Sequence, residues 1–422
     1  MDLTESINLE VDPMVKEYLR SLLCAIDRVT VLRIREPSVR YVLLCLMCRF
    51  LSCRSIREIA IHFGIPKDRL YRSVNKLKLL TQLMAIRRSG LRELAKHLQK
   101  LSRASASTQS RQRVLLCIDD ATEKTRGALG KLASLIWSGA DKKVVSGVNT
   151  QVLVAVVGDS SVVIILDARI CLPKHAGTGI QPLLKNEWFT QSLERLESRL
   201  NEWGLSLNGC HVSVDRAYAS EEVLKVLQTL HLPLISQVAG GWKLEAEILP
   251  GLTLKGKATP ILKTWFRLNQ DKLKPMAGEP GIEYIRTVMK AKSLGPILVV
   301  ARKIGEEVKF LLSTDLNMKA VTIHRDARRR WKLERVFWDW KQRVGMGDVH
   351  QHTPEVCMAR WYQQIILVQA LREAAKECRV PLPKFIWVLR REPNVLVDTI
   401  LSGNVFSSCA PSETVPVERE AA

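Results

Sequence analysis

Four acidic residues in this sequence stand where carboxylates could share divalent metal ions. Asp119 and Asp120 end the apolar run VLLCIDD, Asp215 ends the run HVSVD, and Glu334 lies in a segment with helical periodicity. Carboxylate oxygens are the hard ligands that Mg²⁺ and Mn²⁺ prefer, and a few suffice because the ion retains several waters. Two such ions about 4 Å apart can activate a nucleophile and stabilise a leaving oxygen in phosphodiester chemistry. The acids therefore predict a site for two Mg²⁺ (or Mn²⁺) ions.

The segment ARRRWKLERVFWDWKQRVG, which starts at Ala327, predicts a two-sided helix around Glu334. At about 100° per residue, one apolar stripe can pack against the protein: Leu333, Phe337, Trp340 and Val344. A second stripe about 60° away carries Arg330, Glu334 and Lys341. Guanidinium binds phosphate through two parallel hydrogen bonds, and ammonium supplies a point charge. Arg330 and Lys341 are therefore predicted to bind a DNA backbone beside a metal ligand, although an ordinary surface helix with an Arg-Glu pair would show the same spacing.

The strands and helices around the acids predict how they could converge. From Val114 the pattern gives a strand, the apolar hairpin VLVAVVGDSSVVIILDARI, a helix from about Gln181 to Trp203, the strand HVSVD, a helix from Ser220 to Leu230 and the strand LPLISQV. This order is that of a ribonuclease-H-like mixed sheet in an α/β fold. It places one acid on the first strand and one at the end of the fourth. Asp119 and Asp120 alternate across their strand, so only one can point at the metals.

The remaining segments divide the chain into a predicted sequence of domains. Residues 1–101 read as an all-helical DNA-binding domain, 102–113 as a polar linker and 114–240 as the first part of the catalytic core. Residues 241–315 read as a strand-rich insertion that includes WFRLN, IEYIRTVMKAK and ILVVARKIGEEVKFLLSTD. Residues 316–380 return to helices as the second part of the core, and 381–422 form a C-terminal segment and tail.

A helix-turn-helix layout begins at Ser55 within the helical region. Ala60 is small where two helices would cross, Gly64 permits a tight turn and Pro66 opens the next helix. In a DNA-binding protein, the second helix would present basic side chains to the major groove and its phosphates: Lys67, Arg69 and Arg72. The alternative is a helical hairpin with a solvated basic face.

Composition indicates a polyanionic partner. The chain has 64 Lys and Arg against 43 Asp and Glu, a formal charge of +21 spread along its length. The most apolar run, YVLLCLMCRF from Tyr41, is too short to span a bilayer, and the acidic N-terminus lacks the pattern of a secretory signal. Cys45, Cys48 and Cys53 lie in that apolar helix without a second Cys or His pair at zinc spacing, so they read as core thiols. We expect a cytoplasmic DNA-binding protein with no membrane partner.

Glu334 follows Arg330 after three intervening residues, and Lys341 follows Glu334 after six. This spacing resembles the Tyr-Arg-Glu-Lys signature of cut-and-paste bacterial insertion-sequence transposases with a DDE core. These enzymes also carry a strand-rich insertion between the second and third acids. The signature Tyr is replaced by Ala327. In the family the first acid is followed two residues later by Thr. Asp120 and Thr122 match this spacing, which favours Asp120 over Asp119. Arg216 and Tyr218 match the residues that follow the second acid in the family.

The resemblance implies a transposase that cleaves transposon ends, joins them to target DNA and assembles as a homodimer on double-stranded DNA in the bacterial cytoplasm, associated with the nucleoid. A Trp in the insertion, Trp242 or Trp265, would stack on a flipped base; core packing is the ordinary alternative. Two other functions stay open. One is a catalytically inactive, transposase-derived DNA-binding protein, which Ala327 favours, and the other is a stand-alone nuclease such as a junction resolvase.

Overall fold

The structure is a computed structural model that describes twelve stretches of the chain: 12–29, 37–53, 55–76, 78–104, 113–124, 132–138, 142–158, 162–172, 184–238, 262–291, 295–345 and 353–402. Trp242, most of the predicted linker and the predicted tail lie outside these residues. No helix in the described stretches is long and apolar enough to cross a membrane.

Strands from the described part of the chain join into a single mixed sheet. Their bounds are β1 (Val114–Lys124), β2 (Ser134–Ser138), β3 (Lys143–Val157), β4 (Val163–Cys171), β5 (His211–Val214), β6 (Leu234–Val238), β7 (Lys274–Pro275), β8 (Ile282–Ala291), β9 (Gly295–Ile304) and β10 (Glu307–Ser313). The order across the sheet is β2-β3-β1-β5-β6-β10-β9-β8-β7. β4 also pairs with β3, along residues 149–156, whereas β2 pairs with residues 143–147.

The part of the sheet that holds β1 and β5 has the predicted arrangement. β3 and β4 form the antiparallel hairpin, β1 pairs antiparallel with β3, and β1, β5 and β6 run parallel. This large mixed sheet is consistent with the predicted ribonuclease-H-like α/β core. The parallel pairing of β1 with β5 ends at Ile118 and Val214, so Asp119, within β1, and Asp215, directly after β5, follow at neighbouring positions.

The region predicted as a strand-rich insertion differs in two ways from the prediction. IEYIRTVMKAK and the following run are strands, as β8, β9 and β10, but they extend the central sheet because β10 pairs with β6. WFRLN was predicted as a strand and instead belongs to a helix, Leu262–Leu268. Leu262, Trp265 and Phe266 are its buried residues, and their spacing of three and four residues is that of a helix.

Helices flank the sheet on both faces. They are α1 (Pro13–Val29), α2 (Pro37–Leu46), α3 (Ile56–His62), α4 (Lys67–Asn75), α5 (Leu79–Ser102), α6 (Lys185–Asn201), α7 (Glu221–Thr229), α8 (Leu262–Leu268), α9 (Ala320–Asp339), α10 (Pro354–Glu377), α11 (Leu382–Arg391) and α12 (Pro393–Ser402). The described residues of the N-terminal region are largely helical, and the predicted helices of the later segments correspond to α6, α7, α9 and α10.

Apolar residues at alternate positions of β1 pack into two different hydrophobic cores. Leu115 and Cys117 pack in a core that contains α1, α2, α9, α10 and α11, whereas Leu116 and Ile118 pack with α6 and α7. The N-terminal helices therefore share a core with the C-terminal helices and one face of the sheet. Residue 101 does not separate two cores in this structure.

Helix α5 approaches β4 so closely that only glycine fits at position 90. A Cβ on Gly90 would lie 2.2 Å from the carbonyl oxygen of Ile165 and 2.8 Å from the Cα of Leu166. Gly90→Ala is therefore expected to lower the free energy of unfolding by about 1–3 kcal/mol, because the helix must move off the strand.

Urea denaturation followed by circular dichroism measures this loss. The control is Gly204→Ala, where a Cβ meets open space and the only cost is the left-handed backbone at φ 67°, about 1 kcal/mol. A loss at Gly90 no larger than at Gly204 would contradict the close contact.

A partly buried carboxyl on α10 makes stability depend on pH. Burial raises the pKa of Glu373 from 4.5 to about 7, and the negative charges of Glu93 and Glu377 act in the same direction. Because the folded-state pKa is raised, protonation stabilises the fold fully below about pH 4.5, and this contribution is lost as the pH rises towards 7. Above pH 7 the fold carries an ionised, desolvated carboxylate.

Glu373→Gln removes that unfavourable charge. We expect it to increase the free energy of unfolding by about 1–3 kcal/mol at pH 8 and by less than about 1 kcal/mol at pH 5. Urea titrations at both pH values measure the difference. Glu355→Gln, at an exposed position in the first turn of the same helix, is the matched control. Equal effects of the two substitutions would exclude burial of Glu373 as the cause.

Candidate active site

Two adjacent acids in the middle of β1, Asp119 and Asp120, point to opposite faces of the sheet. Asp119 follows Leu115 and Cys117 in the alternation and lies on the face covered by α9 and α10. Asp120 follows Leu116 and Ile118 and lies on the face covered by α6 and α7. Only Asp119 can therefore meet side chains from α9.

Helix α9 is fixed against β5 by a buried hydrogen-bonded cluster. His211 Nδ1 lies 2.7 Å from Asp326 Oδ2, and Arg329 Nη1 donates to Asp326 Oδ1 at 2.9 Å. All three side chains are buried. Farther along, the helix buries its predicted apolar stripe: Leu333, Phe337, Trp340 and Val344. These contacts set the rotation of α9 and turn its second stripe towards the end of β1.

Arg330 joins two of the candidate acids. Its Nη1 donates to Asp119 Oδ2 at 2.5 Å, and its Nη2 lies 3.5 Å from Glu334 Oε1. The Arg330 side chain is only 15 % exposed. A strand acid and a helix acid that are far apart in sequence thus share one guanidinium.

Asp215 directly follows the neighbouring strand, β5, and interacts electrostatically with Asp119 and Glu334. Ile118 is paired with Val214, so Asp119 and Asp215 each stand one residue beyond a paired position of two parallel strands. Burial raises the pKa of Asp119 to about 6; Arg330 opposes the shift, and the negative charges of Asp120 and Asp215 add to it. Burial also raises the pKa of Glu334, again opposed by Arg330 and increased by Asp215. Asp215 is therefore close enough to interact with both other acids.

Asp120 belongs to a different polar cluster. Its Oδ2 accepts from Lys185 Nζ and from Asn149 Nδ2, both at 2.8 Å, and Tyr218 OH lies 3.4 Å from its Oδ1. Tyr218 in turn accepts from Gln151 Nε2 at 2.7 Å. The strand pleat therefore turns Asp120, the acid that the sequence favours, away from α9, and it is Asp119 that meets that helix. No motif in the sequence identified Lys185 or Asn149 as a residue of the candidate site.

Lys341 lies at the same end of β1. The helix continues from α9 through a π-helical turn, Trp340–Val344, and Lys341 Nζ donates to the Thr122 carbonyl at 2.7 Å, with Glu123 Oε2 at 3.6 Å. Arg330 and Lys341, both predicted to bind DNA phosphates, thus contact protein groups in this structure. The predicted stripe of Arg330, Glu334 and Lys341 does face the end of β1.

The helix-turn-helix-like segment forms two helices with the predicted turn. Ser55 caps α3 by accepting from Glu58 N at 3.2 Å, Gly64 has a left-handed φ of 63°, and Pro66 precedes α4. The predicted DNA-contacting side chains on α4 are exposed: Lys67, Arg69 and Arg72. Trp265 is buried in the core and cannot stack on a base in this conformation.

The carboxylates of the cluster are suitable ligands for divalent cations, although in this structure Arg330 lies between Asp119 and Glu334. In the described residues, no three His, Cys, Asp or Glu side chains lie together as a ready metal-binding group. The cluster nevertheless offers only carboxylate oxygens, the ligands that Mg²⁺ and Mn²⁺ prefer. Burial and like charge disfavour ionisation of Asp119 and Glu334, so a cation is needed to offset their charges. The Arg330 guanidinium meets that need here.

Comparison with known proteins finds one family match and a similar solved structure. Residues 185–368, somewhat under half of the chain, match the family model of the transposase DDE domain. The matched segment contains Asp215 and Glu334 but not β1. A solved structure, the cryo-EM structure of piggyBac transposase in a synaptic complex with hairpin DNA, is similar at 11 % identity and a TM-score of 0.47, over 97 % of this chain and 85 % of that one. No curated protein matches the sequence. The family match supports a DDE-type transposase.

Proposed function

We propose that this chain is a DNA transposase that cleaves transposon ends and joins them to target DNA by two-metal phosphodiester chemistry. Within that class we assign it to the bacterial insertion-sequence type, with Ala327 in place of the signature Tyr. The observation that carries the proposal is the Arg330 bridge between Asp119 on β1 and Glu334 on α9. A surface Arg-Glu pair would not bring in a partly buried acid from a strand.

In this proposal Asp119, Asp215 and Glu334 hold two Mg²⁺ or Mn²⁺ ions. Such ions, when bound, lower the pKa of the attacking water or hydroxyl and stabilise charge on the departing oxygen. Arg330 exchanges its carboxylate partners for a DNA phosphate, which its planar guanidinium can bind through two parallel hydrogen bonds. Lys341 supplies a second positive charge beside the same strand end.

We further propose that duplex DNA is bound outside the catalytic cluster by the exposed basic face of α4. Lys67, Arg69 and Arg72 carry three of the positive charges that give the chain its formal charge of +21. Two copies of the chain would bind paired transposon ends. Trp242, in the segment between β6 and α8, is the proposed stacking partner for a flipped base.

The second candidate is a transposase-derived protein that binds DNA without cutting it. Two observations favour it: Ala327 replaces the signature Tyr, and Arg330 occupies the carboxylates that metal ions would need. The two candidates share DNA binding and differ only in cleavage.

A strand-cleavage assay on DNA that carries the element's terminal repeats separates them. The purified chain is incubated with the labelled repeats in Mg²⁺, in Mn²⁺ and in EDTA, and the products are resolved on denaturing gels. We expect metal-dependent nicks at the repeat ends. Retarded but intact DNA under both metals would support the non-cutting candidate instead.

A further inference from the structure

Arginine and tryptophan side chains gather where the end of α9, the residues after α2 and the face of α11 meet. We name this group the Arg/Trp surface and define it by six residues: Arg49, Trp338, Arg343, Trp387, Arg390 and Arg391. It lies outside the carboxylate cluster, and α11 belongs to the C-terminal segment to which the sequence assigned no role.

Two of the arginines, Arg49 and Arg390, converge on the π-helical turn that follows α9 and contains Arg343. Arg49 Nη1 donates to the carbonyl oxygens of Lys341 at 3.1 Å and of Gln342 at 3.0 Å. Arg390 Nη2 donates to the Arg343 carbonyl at 3.4 Å. Burial lowers the pKa of Arg390, and the positive charges of Arg343 and Arg49 act in the same direction. Like charges held this close favour an anion between them.

Two tryptophans on this surface expose their rings. Trp338 is 47 % exposed and Trp387 is 58 % exposed, although tryptophan is a largely buried residue type. Arg343 Cζ lies 4.7 Å from the ring centroid of Trp338, and Arg391 Cζ lies 4.8 Å from that of Trp387. Each exposed ring thus stands beside a guanidinium, the pairing that stacks bases and binds phosphates in single-stranded nucleic acid sites.

The local charge remains positive after the nearby acids are counted. Asp339 is buried and divides its oxygens between Arg343 and Arg372, both at 2.8 Å. Glu392, directly after α11, is exposed. The surface also adjoins the catalytic cluster, because Lys341, whose carbonyl Arg49 binds, reaches the end of β1 through Thr122.

We propose that the Arg/Trp surface binds a single-stranded DNA segment that leads away from the cleavage site. In a duplex the base faces are covered by their neighbours, whereas a single strand can stack its bases on Trp338 and Trp387 while its phosphates meet the arginines. The inference rests on the proposed function, since it takes DNA as the partner, and it assigns duplex binding and single-strand binding to different surfaces.

The test compares single-stranded and duplex oligonucleotides of one sequence in fluorescence anisotropy, at several salt concentrations, with the full chain. The variants are Trp387→Ala, Trp387→Phe and the double variant Arg390→Ala with Arg391→Ala. The matched controls are Trp203→Ala, at another exposed Trp, and Arg267→Ala, at an exposed Arg on α8. Circular dichroism melting confirms that each variant is folded, and cleavage by the unsubstituted chain is measured in parallel.

Trp387→Ala is expected to weaken single-strand binding by roughly 5- to 100-fold, with partial recovery in Trp387→Phe. The double arginine variant should reduce the salt slope for single strands by about one to two units, and duplex affinity should stay near the control value. Equal losses for duplex and single strand, or no loss for either, would overturn the inference. If the unsubstituted chain cleaves DNA and all variants bind single strands normally, only this inference is overturned. If the variants lose single-strand binding specifically but the unsubstituted chain never cleaves, only the proposed catalysis is overturned.

Discussion

Replacing Asp119 by Asn is expected to lower Mg²⁺-dependent strand cleavage by roughly 10³-fold or more, the order seen when a group that acts in the transition state is removed. Asp119 is the β1 acid that faces α9, and Arg330 links it to Glu334. An amide keeps the size of the side chain but supplies a weaker metal ligand without charge. The cleavage rate on labelled terminal repeats measures the effect.

The adjacent acid provides a matched control for this prediction. Asp120→Asn makes the same chemical change one residue away, but Asp120 binds Lys185 and Asn149 on the opposite face. We expect a loss no greater than the roughly 10- to 100-fold typical of groups that surround a metal site without binding the metal. A larger loss at Asp120 than at Asp119 would restore the preference drawn from the sequence and would contradict the role of the Arg330 bridge.

The contrast between these two acids shows what the sequence could and could not predict about the site. The apolar runs before Asp119 and Asp215 were sufficient to predict two strands, because buried strands have a strong local pattern. The second strand ends before Asp215 as predicted, whereas β1 continues past Asp119 and Asp120 to Lys124. The choice between neighbouring residues depends on which face α9 covers. That is a tertiary property, and the spacing of Asp120 to Thr122 favoured the other residue.

The fold shows the same division between local pattern and long-range pairing. Strands β8 to β10 were predicted from their residues, but their union with the central sheet requires β10 to pair with β6, which no local pattern encodes. The strand predicted for WFRLN is wrong because the β-prone residues Trp265 and Phe266 outweighed their helical spacing with Leu262. In this segment the packing of one helical face on the core determined the structure, and the β-propensity of the individual residues did not.

The contacts of Arg330 also lay beyond the sequence. Its spacing to Glu334 predicted a neighbour one helical turn away, which the structure shows. Its stronger partner, Asp119, comes from β1 and depends on the anchoring of α9 by Asp326 and His211. The Arg/Trp surface was likewise hidden, because Arg49, Trp338 and Arg390 come from three separate segments with no shared motif.

The separation of catalysis from DNA binding gives the second large expected effect. Glu334→Gln and Asp215→Asn each remove a carboxylate and one negative charge at the site where the DNA backbone would lie. Cleavage in Mg²⁺ is expected to fall by roughly 10³-fold or more, for the reason given for Asp119. Affinity for the terminal repeats should hold or rise, because one repulsion between the protein and the phosphates is lost.

Glu334→Gln has an additional consequence for Arg330. With the carboxylate of Glu334 gone, the guanidinium keeps Asp119 as its ionic partner but loses one competitor for a phosphate, so the variant should bind DNA at least as tightly as the unsubstituted chain. Glu306→Gln, at an exposed position in the turn between β9 and β10, makes the same charge change at a residue outside the cluster and is the control. Affinity is measured by fluorescence anisotropy on the repeats and cleavage on denaturing gels with the same preparations. A Glu334 variant that loses affinity and cleavage together, while the control loses neither, would show that the carboxylate positions the DNA-binding groups of α9 and would contradict its assignment as a metal ligand.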